Sequence, residues 1–226
     1  MKICAISDLH GWLPEINSCE LLLISGDIIP LDIQRNYVNS ANWFYTEFTD
    51  WIGKLPCDKV LFIAGNHDFY LSRVLDFPIK EWTKGKCEYL QDSLYKYLDS
   101  TGKEWNIYGT PWTHKFGNWA FMLDDKSLIN MYQKMPSNID ILLTHDTPRY
   151  KELGVLPPSK WSLEEVDVGN TPLIKFIEEK QPKYVFCGHL HTCKSKYEKI
   201  NKSEVYNVSI LNNDYQKTYT PLYLEI

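Results

Sequence analysis

Five short apolar runs, each ending in glycine or polar residues, are spread along the chain. They are residues 3–6, 21–25, 60–64, 141–144 and 184–187. Runs of this length bounded by turn-forming residues are typical of strands buried on both faces, although buried helix segments give the same pattern. We therefore predict five buried strands.

Helical patterns lie between several of these runs. Residues 42–55 place apolar side chains at helical spacing, and residues 127–135 form a shorter candidate helix. Residues 171–177 begin with a capping residue, Thr171, followed by Pro172 at the first helical position. Strands that alternate with helices predict βαβ units and a mostly parallel sheet, which binds ligands at the carboxyl ends of its strands.

Three stretches depart from this pattern. Residues 87–122 and 194–226 contain short runs rich in Tyr, Trp, Thr and Asn between turn signals, which predicts further, partly antiparallel strands in a second sheet. Residues 149–170 have two consecutive prolines and few regular apolar positions, so we expect a long loop of the kind that often forms a lid. Nothing resembles a linker, and we predict a single α/β domain over residues 1–226.

Composition and charge exclude several classes of protein. The net charge of −5 gives no basic footprint for duplex nucleic acid, so a small substrate is favoured as the partner. No run reaches the ~18 apolar residues of a membrane span, and the first apolar stretch is too short for a signal peptide. The six cysteines show no CxxC spacing. We expect a cytoplasmic protein with reduced thiols and no membrane contact, and the sequence does not predict its oligomeric state.

Polar segments follow all five predicted strands. They are Asp8-Leu9-His10, Gly26-Asp27, Gly65-Asn66-His67-Asp68, Thr144-His145-Asp146 and Gly188-His189-Leu190-His191. Carboxylates, imidazoles and one carboxamide, without a cysteine, suit Mn, Fe, Zn or Ni. One such residue after a strand is usually a solvated loop residue or a cap, but five such segments predict a metal centre.

These donors divide between two divalent ions. Asp8 and His10 lie two residues apart and turn toward one ion once the backbone bends at Gly11. Asp27 is the expected bridge, because each of its two carboxylate oxygens can take a different ion. The remaining donors are Asn66, His145 and His189 for the second ion and His191 for the first.

Two bridged ions predict a hydrolytic reaction. Each ion lowers the pKa of a water held between them, which yields a hydroxide near neutral pH. Two divalent ions, two carboxylates and one hydroxide leave a small positive charge that attracts a phosphodiester monoanion and stabilises in-line attack. We predict that His67 is the general acid for the leaving group, and that Asp68 or another carboxylate orients its ring.

Three further residues are candidate substrate contacts. One is Asn66, which is also a predicted metal ligand. The others are His114 and Arg149, for which the alternative is a solvated surface position. Asp146 is expected either to support an imidazole or to form a turn before Pro148.

In this order, Asp8-x-His10, Gly26-Asp27, Gly65-Asn66-His67-Asp68, His145 and Gly188-His189-x-His191 resemble the motifs of the calcineurin-like metallophosphoesterases. The resemblance implies a four-layer α/β/β/α sandwich with two mixed sheets flanked by helices and a dinuclear site at one end of the sheets. It implies the ligand division given above, with Asp27 on both ions and His67 catalytic. Of the metals, Mn is the first expectation.

A narrower resemblance lies in Tyr108-Gly109-Thr110-Pro111-Trp112, Asn118-Trp119-Ala120-Phe121 and residues 140–145. These are similar to the metallophosphoesterase-domain-containing subgroup, which is associated with cyclic nucleotide phosphodiesterase activity. We therefore expect hydrolysis of a small or single-stranded phosphodiester. Two alternatives stay open: a phosphomonoesterase acting on phosphoprotein or nucleotide monophosphate, and a non-catalytic interaction module on the same fold.

Overall fold

The computed structural model describes residues 1–74, 76–159 and 162–226. Within these ranges the strands are β1 (Lys2–Ile6), β2 (Cys19–Ser25), β3 (Cys57–Ile63), β4 (Cys87–Tyr89), β5 (Ser93–Leu98), β6 (Glu104–Thr110), β7 (Thr113–His114), β8 (Met122–Leu123), β9 (Ile141–Thr144), β10 (Val155–Leu156), β11 (Val166–Asp167), β12 (Tyr184–Cys187), β13 (Tyr197–Ile200), β14 (Ser203–Asn207) and β15 (Leu222–Glu225). The α-helices are α1 (Tyr37–Trp43), α2 (Thr49–Lys54), α3 (Ile79–Trp82), α4 (Asp125–Lys134) and α5 (Thr171–Lys180). A π-helical segment, Phe44–Phe48, joins α1 to α2, and a 3₁₀ turn covers Leu71–Arg73.

Two mixed sheets form the centre of the molecule. The first has the order β15-β1-β2-β3-β4 and is parallel except for β15, which runs antiparallel to β1. The second has the order β13-β14-β12-β9-β6-β5, with a parallel centre and an antiparallel strand at each edge. The expected fold class is confirmed.

The five predicted strands are β1, β2, β3, β9 and β12, and they do not share one sheet. The first three lie in the first sheet and the other two in the second. The stretches predicted to build the second sheet are divided as well, because β4 and β15 join the first sheet. Sheet membership depends on pairing between distant segments, which a local hydrophobic pattern does not encode.

Alternation along the strands creates the four layers. In β1, Ile3 and Ala5 belong to the core between the two sheets, whereas Cys4 and Ile6 belong to the core beneath α1 and α2. The second sheet packs its outer face against α4 and α5. Burial of both faces explains why these strands are continuous apolar runs.

The predicted helices are present with shifted boundaries. Helix α5 begins at the expected Thr171, but its cap is Asn170, whose side chain accepts a hydrogen bond from the Leu173 N–H. The segment predicted at 127–135 is α4, capped by Asp124. The segment predicted at 42–55 corresponds to the end of α1, the π-helical segment and α2.

The predicted loop over residues 149–170 contains a small hairpin. Strands β10 and β11 pair antiparallel within it, and residues 160 and 161 lie outside the described residues. All six cysteines are buried free thiols. Among the described residues, no helix has the length and apolar character needed to cross a membrane. A cytoplasmic location stays a prediction.

The carboxyl ends of strands from both sheets meet at one edge. The Asp8 N–H donates to the Gly26 carbonyl at 2.9 Å, and the Gly188 N–H donates to the His145 carbonyl at 3.0 Å. The two sheets also approach each other through a bridge between Ser7 and Ser209. The segments that follow β1, β2, β3, β9 and β12 therefore converge on one place.

Candidate metal centre

Asp27 lies in the middle of this convergence. Its Oδ2 is 3.3 Å from His145 Nε2, 3.6 Å from His10 Nε2 and 4.0 Å from His67 Nε2. Its Oδ1 accepts a hydrogen bond from the His67 N–H at 2.7 Å. Burial opposes ionisation of Asp27, but the surrounding imidazoles, His145 foremost, outweigh it and hold the pKa well below its usual value. Asp27 is therefore a buried anion that faces several imidazoles at once.

A second carboxylate lies on one side of Asp27. Asp8 Oδ1 is 3.3 Å from His191 Nε2, and that nitrogen is 3.2 Å from His10 Nε2. Donor atoms of Asp8, His10 and His191 all lie within 4.8 Å of one another. Together with the bridging Asp27, these residues are the donor set predicted for the first ion.

Residues predicted for the second ion also lie close to Asp27. Donor atoms of Asp8, Asp27 and His145 lie within 4.8 Å of one another, and Asn66 Oδ1 is 3.1 Å from His145 Nε2. The ring of His189 packs edge-on against the His145 ring, with centroids 5.3 Å apart. Its backbone N–H donates to both carboxylate oxygens of Asp8 at 3.1 Å.

The structure thus brings the donor atoms of six of the seven predicted ligands close together and places His189 beside them. The six are Asp8, His10, Asp27, Asn66, His145 and His191. Among the described residues, the His189 ring is absent from the three groups of mutually close donors. The assignment of each residue to one ion stays a prediction.

The contacts behind the rings suit metal binding. His145 Nδ1 donates to the Ser25 carbonyl at 2.8 Å, and His191 Nδ1 donates to the Asn212 carbonyl at 3.0 Å, so that each ring turns Nε2 toward the centre. Burial works against a charged His145, but the adjacent Asp27 raises its pKa to about 10. Buried carboxylates, imidazoles and an amide oxygen fit a pair of divalent first-row ions.

His67 faces the same centre from the β3 side. Its Nε2 is the atom 4.0 Å from Asp27, and its Nδ1 lies 2.6 Å from Oε1 of Gln34. The Trp119 ring lies over the imidazole with centroids 4.4 Å apart. Burial lowers the pKa of His67, and Asp27 partly offsets this effect.

Asp68 does not orient the His67 ring, which corrects the expectation from sequence. Its carboxylate accepts hydrogen bonds from the N–H groups of Ile28, Ile29 and Gly65 at 2.8–3.2 Å and is fully buried. Burial and the charge of Asp27 raise its pKa to about 7. Asp68 therefore connects the loops after β2 and β3, and its predicted role in catalysis has no contact with the ring to support it.

A cleft of about 390 Å³ opens over the centre. Asp27, Asn66 and His67 form part of its floor, and segments distant in sequence form its walls: Phe116, Trp119, Leu156, Pro157, Val166, Asn213 and Tyr215. The stretch predicted to be a lid, residues 149–170, supplies part of this wall. Sequence reasoning assigned no chemistry to residues 194–226, yet the Tyr215 ring packs 5.0 Å from both the His10 and His191 rings.

The two candidate substrate contacts outside the motifs differ in position. His114 lines a cavity of about 310 Å³ beside the cleft, and its Nδ1 is 2.8 Å from Asp146 Oδ2. Asp146 thus supports the imidazole of His114, which is one of the two roles expected for it. Arg149 instead pairs with Asp167 at 2.8 Å, and its side chain is 51% exposed. The described lining of the cleft does not include Arg149, so the geometry gives its predicted substrate contact no support.

A four-layer α/β/β/α sandwich with buried carboxylates and imidazoles where its two sheets meet defines a class of metal-dependent phosphoester hydrolases. The model of the calcineurin-like phosphoesterase family matches residues 1–193, and the chain belongs to that family.

Curated relatives and solved structures agree with this assignment. The chain is 25% identical to metallophosphoesterase domain-containing protein 1 of Homo sapiens, over 100% of the chain and 71% of that protein. It is 24% identical to a UPF0046 protein of Caenorhabditis elegans, over 100% of the chain and 81% of that protein. The crystal structure of TT1561 of Thermus thermophilus is similar in fold, with a TM-score of 0.58 at 14% identity over 91% of this chain and 88% of that one.

Proposed function

We propose that the chain is a phosphodiesterase that uses two divalent ions, with Mn favoured over Fe, Zn and Ni, to hydrolyse a small phosphodiester. The observation that carries the proposal is the position of Asp27, whose Oδ2 is 3.6 Å from Nε2 of His10, a ligand proposed for the first ion, and 3.3 Å from Nε2 of His145, a ligand proposed for the second. A single carboxylate shared by two donor sets suits a bridged pair of ions.

Bound ions supply a Lewis-acidic pair that activates water and stabilises charge on the phosphoryl oxygens. Asp8, His10, Asp27, Asn66, His145, His189 and His191 are the residues we propose to hold them. His67 presents Nε2 to the same space and gives a proton to the leaving oxygen, since expulsion of an unprotonated alkoxide is slow.

The lining of the cleft favours a diester over a monoester. The described lining residues include no lysine or arginine, whereas a phosphomonoester dianion is commonly bound by such cations. A diester carries one negative charge and a second organic group. The apolar wall formed by Phe116, Trp119 and Leu156 gives that second group a surface to contact.

A metal-supplemented substrate panel tests the proposal. We expect faster hydrolysis of bis-(4-nitrophenyl) phosphate than of 4-nitrophenyl phosphate, and the panel extends to cyclic nucleotides, dinucleotides and short single strands. The variant His67→Asn keeps its metal content, measured by elemental analysis, and loses about 10²- to 10⁴-fold in turnover. A preference for the monoester would favour a phosphomonoesterase, and no hydrolysis by any metal-loaded sample would favour an interaction module.

A further inference from the structure

The ring of His67 is held by an amide that itself has only one usable orientation. Gln34 Nε2 donates to the Leu31 carbonyl at 3.0 Å, so the amide oxygen is the atom that faces the imidazole. This oxygen is 2.6 Å from His67 Nδ1. Because a carbonyl oxygen can only accept, Nδ1 must carry the proton of that hydrogen bond.

The segment that carries Gln34 is anchored at both ends. The Ile33 N–H donates to the Pro30 carbonyl at 3.2 Å, and the Asn36 N–H donates to the Ile33 carbonyl at 2.7 Å. The Ser40 hydroxyl in α1 also donates to the Ile33 carbonyl, at 3.0 Å. These bonds tie the segment to the first helix, so Gln34 has a defined position relative to the centre.

The other contacts of the His67 ring leave Nε2 free to face the centre. Trp119 covers one face of the ring, and the His10 ring packs against it edge-on at 4.8 Å. Nε2 points to Asp27 Oδ2 at 4.0 Å. The Asp68 carboxylate is engaged by three backbone N–H groups and does not reach Nδ1.

We propose that Gln34 is the positioning residue of His67. Its neutral amide oxygen accepts a hydrogen bond from Nδ1–H in both the neutral and the charged ring. The second proton that the charged ring takes up from solvent therefore lies on Nε2, and its transfer to the leaving oxygen of the substrate returns the neutral Nδ1–H ring. Gln34 holds the ring in this way without adding a third carboxylate beside Asp8 and Asp27. The part of the proposal that concerns turnover rests on the proposed function, whereas the part that concerns the ring does not.

Kinetics of single and double variants test the catalytic part. Gln34→Leu removes the acceptor, and we expect a loss of about 10- to 100-fold in kcat on an alkyl phosphodiester, with KM and metal content unchanged. The loss should shrink on a dinitrophenyl diester, whose leaving group needs no proton. Gln34→Glu keeps an acceptor and should recover most of the loss, and Gln133→Ala on the exposed face of α4 is the matched control.

Coupling to His67 separates positioning from a general structural effect. In a His67→Asn background, Gln34→Leu should cause no further loss, because the group that it positions is gone. An equal loss in both backgrounds, or equal losses on alkyl and dinitrophenyl diesters, would overturn the proposal.

Nitrogen-15 NMR of the imidazoles in metal-free protein at about pH 8 gives a readout that does not require activity. The His67 signals, assigned by their disappearance in His67→Asn, should show a protonated Nδ1 and an unprotonated Nε2, and Gln34→Leu should abolish that preference. A neutral ring that carries its proton on Nε2 and none on Nδ1 refutes the proposal even if diesters are hydrolysed. A protonated Nδ1 in a protein that hydrolyses nothing would leave the positioning intact and refute the proposed function.

Discussion

Gly65, in the loop after β3, lies so close to Asp27 that there is no room for a side chain. A Cβ at this position would overlap Asp27 Oδ1 and lie 2.6 Å from the Asp27 backbone nitrogen. Both atoms belong to the buried Asp27, which cannot move aside without disturbing the centre. The glycine is therefore a requirement of the metal centre as well as of the loop.

The variant Gly65→Ala should lose metal and turnover together and should lower the free energy of unfolding by about 1–3 kcal/mol. Gly53→Ala in α2 is the matched control, because a Cβ there meets no atom within 4 Å. The control should be neutral or more stable by about 0.5–1 kcal/mol, since alanine favours helix. Denaturant unfolding and elemental analysis measure both effects, and a metal-replete Gly65→Ala protein would contradict the argument.

His114 and Asp146 predict a pH-dependent contribution to stability. The hydrogen bond that His114 Nδ1 donates to the Asp146 carboxylate raises the pKa of His114 above its ordinary value of 6.5, although burial opposes this, and Asp125 adds a smaller effect. Because the folded-state pKa is raised, the stabilisation is complete below about pH 6.5 and is lost as the pH rises through the folded value. Asp146 stays ionised in this window, because its own pKa is lowered by His114 against the effect of burial.

We therefore expect the difference in unfolding free energy between the parent protein and His114→Gln to be greatest near pH 5.5 and to shrink toward pH 8.5. Chemical denaturation at several pH values measures it. A difference that does not depend on pH would show that the hydrogen bond stabilises the neutral ring equally.

At the residue scale, the sequence predicted the clustering of the donor side chains but not the residues that support them. Asp8, Asp27 and His145 follow strands directly, so their clustering at the sheet edge was predictable. Gln34 lies seven residues beyond Asp27, on a loop whose path is decided by tertiary contacts. Nothing in the local pattern distinguishes it from a solvated glutamine.

Strand β14 supports the loop that carries His189 and His191. The amide of Asn207, the last residue of β14, donates to the carbonyls of Gly188 at 3.3 Å and Leu190 at 3.0 Å. Its oxygen accepts from Lys196 Nζ at 3.0 Å. One buried side chain thus holds the backbone just before His189 and the backbone between His189 and His191.

The variant Asn207→Ala should lower stability by about 1–3 kcal/mol, because it removes the hydrogen bond to the Leu190 carbonyl and one of the two hydrogen bonds each of the Gly188 carbonyl and the Lys196 ammonium. It should also weaken metal affinity by about 10- to 100-fold through the loosened loop. Asn42→Ala, at an exposed position of α1, is the control and should change neither quantity. Unchanged metal affinity in Asn207→Ala would mean that the turn holds its shape alone.

At the element scale, the five buried strands and the helical segments of α1–α2, α4 and α5 were predictable from apolar runs, helical spacing and capping residues. The distribution of strands over two sheets was not, since β9 and β12 have the same continuous apolar character as β1 and β2. Their partners are chosen by packing of the whole chain. The hairpin of β10 and β11 was missed because two-residue strands give no periodic signal.

At the scale of the whole molecule, the predicted metal ligands come from segments that follow strands of both sheets. Asp8, Asp27 and Asn66 come from the first sheet, whereas His145, His189 and His191 come from the second. Ligands that bind the folded state and not the unfolded state stabilise the fold by mass action. Metal binding should therefore stabilise the molecule as a unit.

Titration with Mn should raise the melting temperature progressively, with about 2.7 kcal/mol of added stability at a hundred times the dissociation constant. Asp27→Asn should abolish most of this increase, because the shared ligand is lost. Differential scanning calorimetry with and without a chelator measures the effect. An equal increase in the variant would place the stabilising ion elsewhere.

The turn that carries Asn213 and Tyr215 lies beyond the 1–193 segment matched by the family model, yet it forms one wall of the cleft. This part of the wall thus lies outside the stretch that contains the predicted ligands. Exchange of the Asn213 and Tyr215 side chains, with the Asn212 carbonyl kept behind the His191 ring, would alter which molecules fit above the centre without replacing any predicted metal ligand. The fold thereby lets substrate range diversify at little risk to the reaction itself.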